Sequence, residues 1–136
     1  MAEVLAGAPD EVVTNAIVRM VSLSPFGYNG ELALITLDNG ADHTRPNTFG
    51  PASLNALASA IDQVQKTDAV AIAVTGKPFI FAAGADLSAL SFLSKREQSL
   101  AIGKLGHDVF RRLDEIGIPK VSRLKLNPVQ FQLLWL

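Results

Sequence analysis

Apolar residues recur with two different periods along the chain. Residues 12–23 (VVTNAIVRMVSL) are rich in β-branched side chains, and residues 31–37 (ELALITL) alternate apolar with less apolar positions. Both read as strands. The turn formers between them, residues 24–30 (SPFGYNG), predict an antiparallel hairpin with a loose loop. Beyond the breakers of residues 38–50 the period changes. Leu54, Leu57, Ile61 and Val64 follow one another at the spacing of a single helical face. Pro51 has the fixed φ that suits a first helical turn, and residues 66–68 (KTD) end the pattern. Residues 69–75 (AVAIAVT) form a continuous apolar run. Such a run predicts a strand buried on both faces, as in a parallel sheet covered by helices.

Gly76-Lys77-Pro78 turns the chain into residues 79–87, FIFAAGADL. Ser94 and Glu97 then have the spacing of a capping box before a long helix. Leu100, Leu105, Val109, Leu113 and Ile116 are expected on its apolar side, and Lys104, Asp108, Arg111, Asp114 and Glu115 toward water. Gly103 and Gly106 inside this helix are expected to mark a kink or a close contact. Gly117 and Pro119 are stop signals. The predicted order is strand, strand, helix, strand, turn, helix. This is an α/β fold with a mixed or parallel sheet.

Composition narrows the function. A net charge of −1 leaves no electrostatic footprint for nucleic acid. The absence of cysteine excludes disulfides, thiolate catalysis and Cys-based metal sites. Residues 1–10 lack the basic and apolar regions of a signal peptide, and no apolar run is long enough to cross a bilayer. The expected setting is the cytoplasm, away from membranes. Thr75-Gly76-Lys77 is not a P-loop, because Ala71 and Pro78 stand where Gly and Ser or Thr are required. His43 and His107 lack metal-ligand spacing and read as loop and helix-surface residues. No metal is expected.

The chemistry concentrates in Ala82-Ala83-Gly84-Ala85-Asp86. Small side chains let a ligand approach the backbone, and Gly84 permits a φ that other residues avoid. If a helical turn starts at Asp86, amide N–H groups near Ala85 are left unpaired. Such donors can hold an oxygen on which negative charge develops. A tight packing turn is the competing reading of the same letters. Asp86 is expected to support the turn by accepting backbone hydrogen bonds. Phe79 and Phe81 are expected in the core, with a wall for an acyl chain as the alternative. Lys77 reads as a solvated loop lysine or as a contact for a phosphate.

The stretch of about residues 30–121 resembles the crotonase (enoyl-CoA hydratase/isomerase) family. The resemblance rests on Ile35-Thr36-Leu37, Arg45-Pro46-Asn47, Asp68-Ala69-Val70, Val74-Thr75-Gly76-Lys77-Pro78-Phe79 and, most specifically, Phe81-Ala82-Ala83-Gly84-Ala85-Asp86-Leu87. The family's Asn near the first loop is matched by Asn47, 21 residues before Asp68, rather than by Asn55, only 13 before it. The loop over residues 38–44 is then longer than usual.

The resemblance implies a crotonase-like (ββα-type) mixed sheet flanked by helices, truncated. Residues 1–121 would form the N-terminal part of that domain. Residues 122–136 would be a tail outside the family pattern, expected from a frameshift or truncation. It implies an acyl-CoA substrate, with no cofactor beyond the CoA thioester itself. The Ala85 backbone N–H would be one of two donors to the thioester oxygen, and Ala83, Gly84, Ala85, Asp86 and Leu87 would line the CoA channel. The basic residue the family often has after this motif is Ser88 here. Hydration of 2-enoyl-CoA in fatty-acid oxidation is the family activity, and trimers or hexamers are its usual assemblies. The family's second donor and paired glutamates have no counterpart after Lys120, where neither Gly nor Glu occurs. This chain alone is therefore expected to be inactive. The alternative is a non-catalytic module for CoA-ester binding or subunit interaction.

Overall fold

The computed structural model describes residues 11–88, 95–124 and 132–135, with side chains as far as Lys120. Strands β1 (Asn15–Ser22) and β2 (Glu31–Asp38) form the expected antiparallel hairpin, with Asn15 opposite Asp38 and Ser22 opposite Glu31. Its loop holds a short 3₁₀ turn, Ser24–Phe26, closed by Gly27 at φ 83°. Helix α1 (Pro51–Gln65) carries the chain to β3 (Ala71–Thr75), which pairs parallel with β2. Helix α2 (Arg96–Glu115) carries it to β4 (Lys120–Leu124), parallel to β3, and β5 (Gln132–Trp135) adds antiparallel to β4. The sheet order is β1-β2-β3-β4-β5. The residues proposed as a tail include the end of β4 and all of β5; residues 125–131 and 136 lie outside the described residues.

One core joins the sheet to both helices. Ala33, Ile35 and Leu37 of β2 and Ile72 and Val74 of β3 bury one sheet face against Leu57, Ala60, Ile61 and Val64 of α1 and Val109 and Leu113 of α2. Alternation along β2 thus selects the inner face, and the predicted stripe of α1 is the stripe that is buried. Ala73 and Thr75 are buried as well, as the apolar run predicts. Their face, however, carries no helix among the described residues. It borders a cavity of about 330 Å³ lined by Arg19, Val21, Leu32 and Leu34.

Helix α2 departs from its predicted pattern at the start. Leu100, expected on the apolar side, is 60% exposed, because the buried stripe is confined to Val109 and Leu113 with Leu105 and Ile116 partly covered. Gln98 Oε1 accepts the Lys95 N–H at 3.1 Å, one residue later than the predicted Ser94–Glu97 box. Ser94 lies outside the described residues. Neither internal glycine marks the expected close contact: a Cβ on Gly103 would meet open space, and one on Gly106 would stand at an ordinary van der Waals distance of 3.7 Å from Leu54.

The N-terminus of α1 is capped from a distance. Gly50 is the N-cap and offers no side chain. The Glu11 carboxylate accepts the Ala52 and Ser53 N–H groups, each at 3.0 Å, and the Ser53 hydroxyl at 2.8 Å. These are the orphan donors of a first turn, met by a negative charge at the positive end of the helix. A Cβ at Gly50 would lie 2.5 Å from that carboxylate, which would have to move to make room.

Candidate functional site

The motif lies beside β3, joined to it by a very tight turn. A Cβ on Gly76 would come within 2.4 Å of the Ile80 carbonyl oxygen and 2.6 Å of Phe81 Cα. Residues 83–86 then run parallel to residues 47–49. Ala83 N–H donates to the Asn47 carbonyl at 2.8 Å, Phe49 N–H to the Gly84 carbonyl at 2.8 Å, and Asp86 N–H to the Phe49 carbonyl at 3.0 Å. Phe49 and Ala85 face each other in this short parallel bridge.

This pairing decides where Ala85 points. In a parallel ladder one residue bonds the neighbours on either side of its partner, and the partner's own groups are turned away. Phe49 engages Gly84 and Asp86, so the Ala85 N–H faces outward. It has no hydrogen-bond partner among the described residues. Gly84 takes φ 96° to make the bend, and a Cβ there would meet open space, so the glycine is needed for its backbone. Ala83, Gly84, Ala85 and Leu87 are exposed, Leu87 by 72%, and Asp86 is half-buried. Asp86 supports the turn as expected: its Oδ1 accepts the Ser88 N–H at 2.9 Å.

Asn47 is the linchpin beneath the motif. It is fully buried and spends its amide twice, donating to the Leu37 carbonyl at 2.9 Å and the Phe81 carbonyl at 2.8 Å. Its Oδ1 accepts the Asn39 N–H at 3.0 Å. Asn55 lies on the exposed side of α1. Asn47, and not Asn55, is thus the asparagine bonded to the motif.

Two expectations near the motif are overturned. Phe79 is not in the core: it is 54% exposed, at φ 70°, with an edge contact to His43 at 6.0 Å. The tight turn at Gly76 throws it outward, while Phe81 packs against the core. Lys77 is neither solvated nor free for a phosphate. It is 6% exposed, and Nζ donates to Asn39 Oδ1 and to the carbonyls of Ala41 at 2.8 Å, Asp42 at 2.8 Å and Arg45 at 2.6 Å. The long loop over residues 39–45 is wrapped around this one ammonium.

Sequence reading missed Asn39 and Glu11. Asn39 sits in a turn-forming Asp-Asn-Gly, and nothing in the letters ties it to Lys77, 38 positions away. His43 and His107 are exposed, as expected. No group of His, Cys, Asp or Glu among the described residues could hold a metal ion. No helix among them is long and apolar enough to cross a membrane. A wholly apolar cavity of about 90 Å³ lies behind the motif, lined by Leu37, Phe49, Leu57, Val74, Phe81, Phe110 and Leu113.

No protein-family model matches the chain. Individual proteins do. The chain is 32% identical over 98 residues to the alpha subunit of a fatty acid oxidation complex from Shewanella loihica, and 26% identical over 97 residues to that of Shewanella frigidimarina. Each alignment covers 68% of this chain and 13% of the relative. An enoyl-CoA isomerase from Mtb superposes with a TM-score of 0.57 at 26% identity, covering 77% of this chain and 40% of that one. The chain has the fold of this neighbour's family, the enoyl-CoA hydratase/isomerase (crotonase) family. The crotonase fold is equally clear in a Legionella pneumophila enoyl-CoA hydratase/isomerase (TM-score 0.64, 14% identity, 80% and 39% covered). DspI of Pseudomonas aeruginosa shares the fold too, with a TM-score of 0.63 and 24% identity over 87% of this chain and 44% of that one. The chain thus spans less than half the length of these crotonase-family structures, and its mixed sheet with two helices is a partial version of their fold.

Proposed function

We propose that this chain is the thioester-binding part of an enoyl-CoA hydratase/isomerase-type protein, with the Ala85 N–H as one of two donors to the thioester oxygen. One observation carries the reading. The ladder between residues 47–49 and 83–86 consumes the polar groups around Ala85 and leaves its N–H turned outward. A main-chain donor held by neighbours on both sides is preorganised, which is what stabilising a developing oxyanion requires. Small, exposed residues at 83–85 allow an extended CoA chain to run along the backbone. Phe81, bordering the apolar cavity, is a suitable wall for a short acyl group.

Binding of crotonyl-CoA to the chain, followed by calorimetry and by the amide resonance of Ala85, tests this. A saturable shift at Ala85 larger than at Ile35 is the expected result. Absence of binding, or binding that leaves Ala85 unmoved, overturns it. Hydration is not expected from this stretch alone, since it supplies one donor and no glutamate pair at the site. Measurable turnover of crotonyl-CoA would contradict that part.

A further inference from the structure

The Lys77 cage is not used by the thioester reading, yet it joins directly to the motif. Burying an ammonium is costly unless oxygens replace its water. Here the replacement comes from Asn39 Oδ1 and the carbonyls of Ala41, Asp42 and Arg45. These acceptors exceed the three N–H bonds an ammonium can offer, so they share it. None of the ion pairs among the described residues involves Lys77. The nearby Asp42 carboxylate is occupied by the Thr44 N–H and hydroxyl. The loop therefore holds the ammonium much as carbonyl oxygens hold a hard metal cation.

The cage continues to the motif through side-chain amides. Asn39, which accepts from Lys77, donates Nδ2 to the carbonyls of Arg45 at 3.2 Å and Pro46 at 3.1 Å, and its N–H to Asn47 Oδ1 at 3.0 Å. Asn47 in turn holds the Phe81 carbonyl and the Ala83 N–H.

We propose that Lys77 is a positioning residue: an internal cation that folds residues 39–47 and, through Asn39 and Asn47, sets the pairing that turns the Ala85 N–H outward. It touches no substrate. Its protons are committed to the loop, so it does not receive a CoA phosphate. The part concerning the thioester oxygen rests on the function proposed above.

Two ligands separate this role from a general structural one. Acetyl-CoA offers a thioester oxygen; S-ethyl-CoA is a thioether of the same length without it. Calorimetry on the full chain should show wild type preferring acetyl-CoA by up to about tenfold, the worth of one hydrogen bond. Lys77→Met is expected to erase that preference while changing S-ethyl-CoA affinity less than about twofold, a shift smaller than one such bond. A retained preference, or an equal loss for both ligands, overturns the proposal. If Lys77→Met does not fold, Asn39→Ala decides, because it cuts the relay and leaves the three carbonyls on the ammonium; it too must erase the preference. If wild type shows no preference, the thioester reading fails on its own. The relay is then judged by amide exchange in these variants. Loss of protection at Ala83 with Ile35 and Ile72 unchanged supports it, and unchanged protection at Ala83 overturns it.

Discussion

Asn47 and Ala83 are bound through the main chain at 2.8 Å, and the same asparagine clamps the Phe81 carbonyl with its side chain at 2.8 Å. One buried residue therefore fixes the motif both at its entry and in its middle. Replacing Asn47 by Leu would keep the approximate volume and leave the Leu37 and Phe81 carbonyls without their donor. Each unsatisfied buried group costs about 1–3 kcal/mol. Urea denaturation is expected to show a loss in that range or above it, with the m-value unchanged. A loss below about 0.5 kcal/mol, the floor for a single hydrogen bond, would contradict the linchpin role.

Gly76 and Gly84 should respond differently to alanine. At Gly84 the added Cβ meets nothing, so the cost is the left-handed backbone alone, about 1–2 kcal/mol. At Gly76 the Cβ collides with backbone at Ile80 and Phe81, which cannot give way without moving the motif. Gly76→Ala is expected to be the more destabilising by denaturant titration and to shift the Ala83 and Ala85 amide resonances. The reverse order would be inconsistent with the turn described.

Glu11 should matter more than its place near the start of the described chain suggests. Glu11→Ala strips the α1 N-terminus of its acceptor, a loss of about 0.5–2 kcal/mol for a helix cap. Thermal unfolding of the variant beside wild type measures it. Gly50→Ala should do comparable damage by pushing the same carboxylate away, and the two changes together should be less than additive, since both remove one interaction.

Acid should loosen the loop over residues 42–45 before the core. The Thr44 hydroxyl, then the Thr44 N–H, hold the Asp42 carboxyl below its ordinary 3.8. A carboxyl lowered in the folded state contributes order that is complete above the ordinary value and is lost as pH falls through the lowered one. The Thr44 amide resonance is expected to be flat from pH 7 down to about the ordinary aspartate value and to move below it. Asp42→Asn should abolish that acid step. A transition in wild type near pH 5 would contradict the assignment.

Strand and helix periods were legible because burial imposes them. Leu54, Leu57, Ile61 and Val64 declare their face, and Ala33, Ile35 and Leu37 alternate because only one face of β2 meets the helices. The motif was legible by resemblance, and the outward Ala85 N–H follows from its pairing with Phe49. Lys77 was not, since a lysine after a glycine looks solvated unless one knows that a loop 32–38 positions earlier folds back over it. Phe79 failed for a related reason: aromatic character predicts burial, but this residue sits at φ 70° in the tight turn after Gly76 and is 54% exposed.

The short ladder between residues 47–49 and 83–86 makes the donor a matter of parity. Whether an amide in this stretch faces the neighbouring segment or the outside depends on its odd or even place along an extended backbone, not on what side chain it bears. Most single substitutions at Ala85 would leave the outward N–H where it is. Inserting or deleting one residue between Gly84 and Asp86 would exchange inward for outward groups, and no choice of side chain could reverse the exchange.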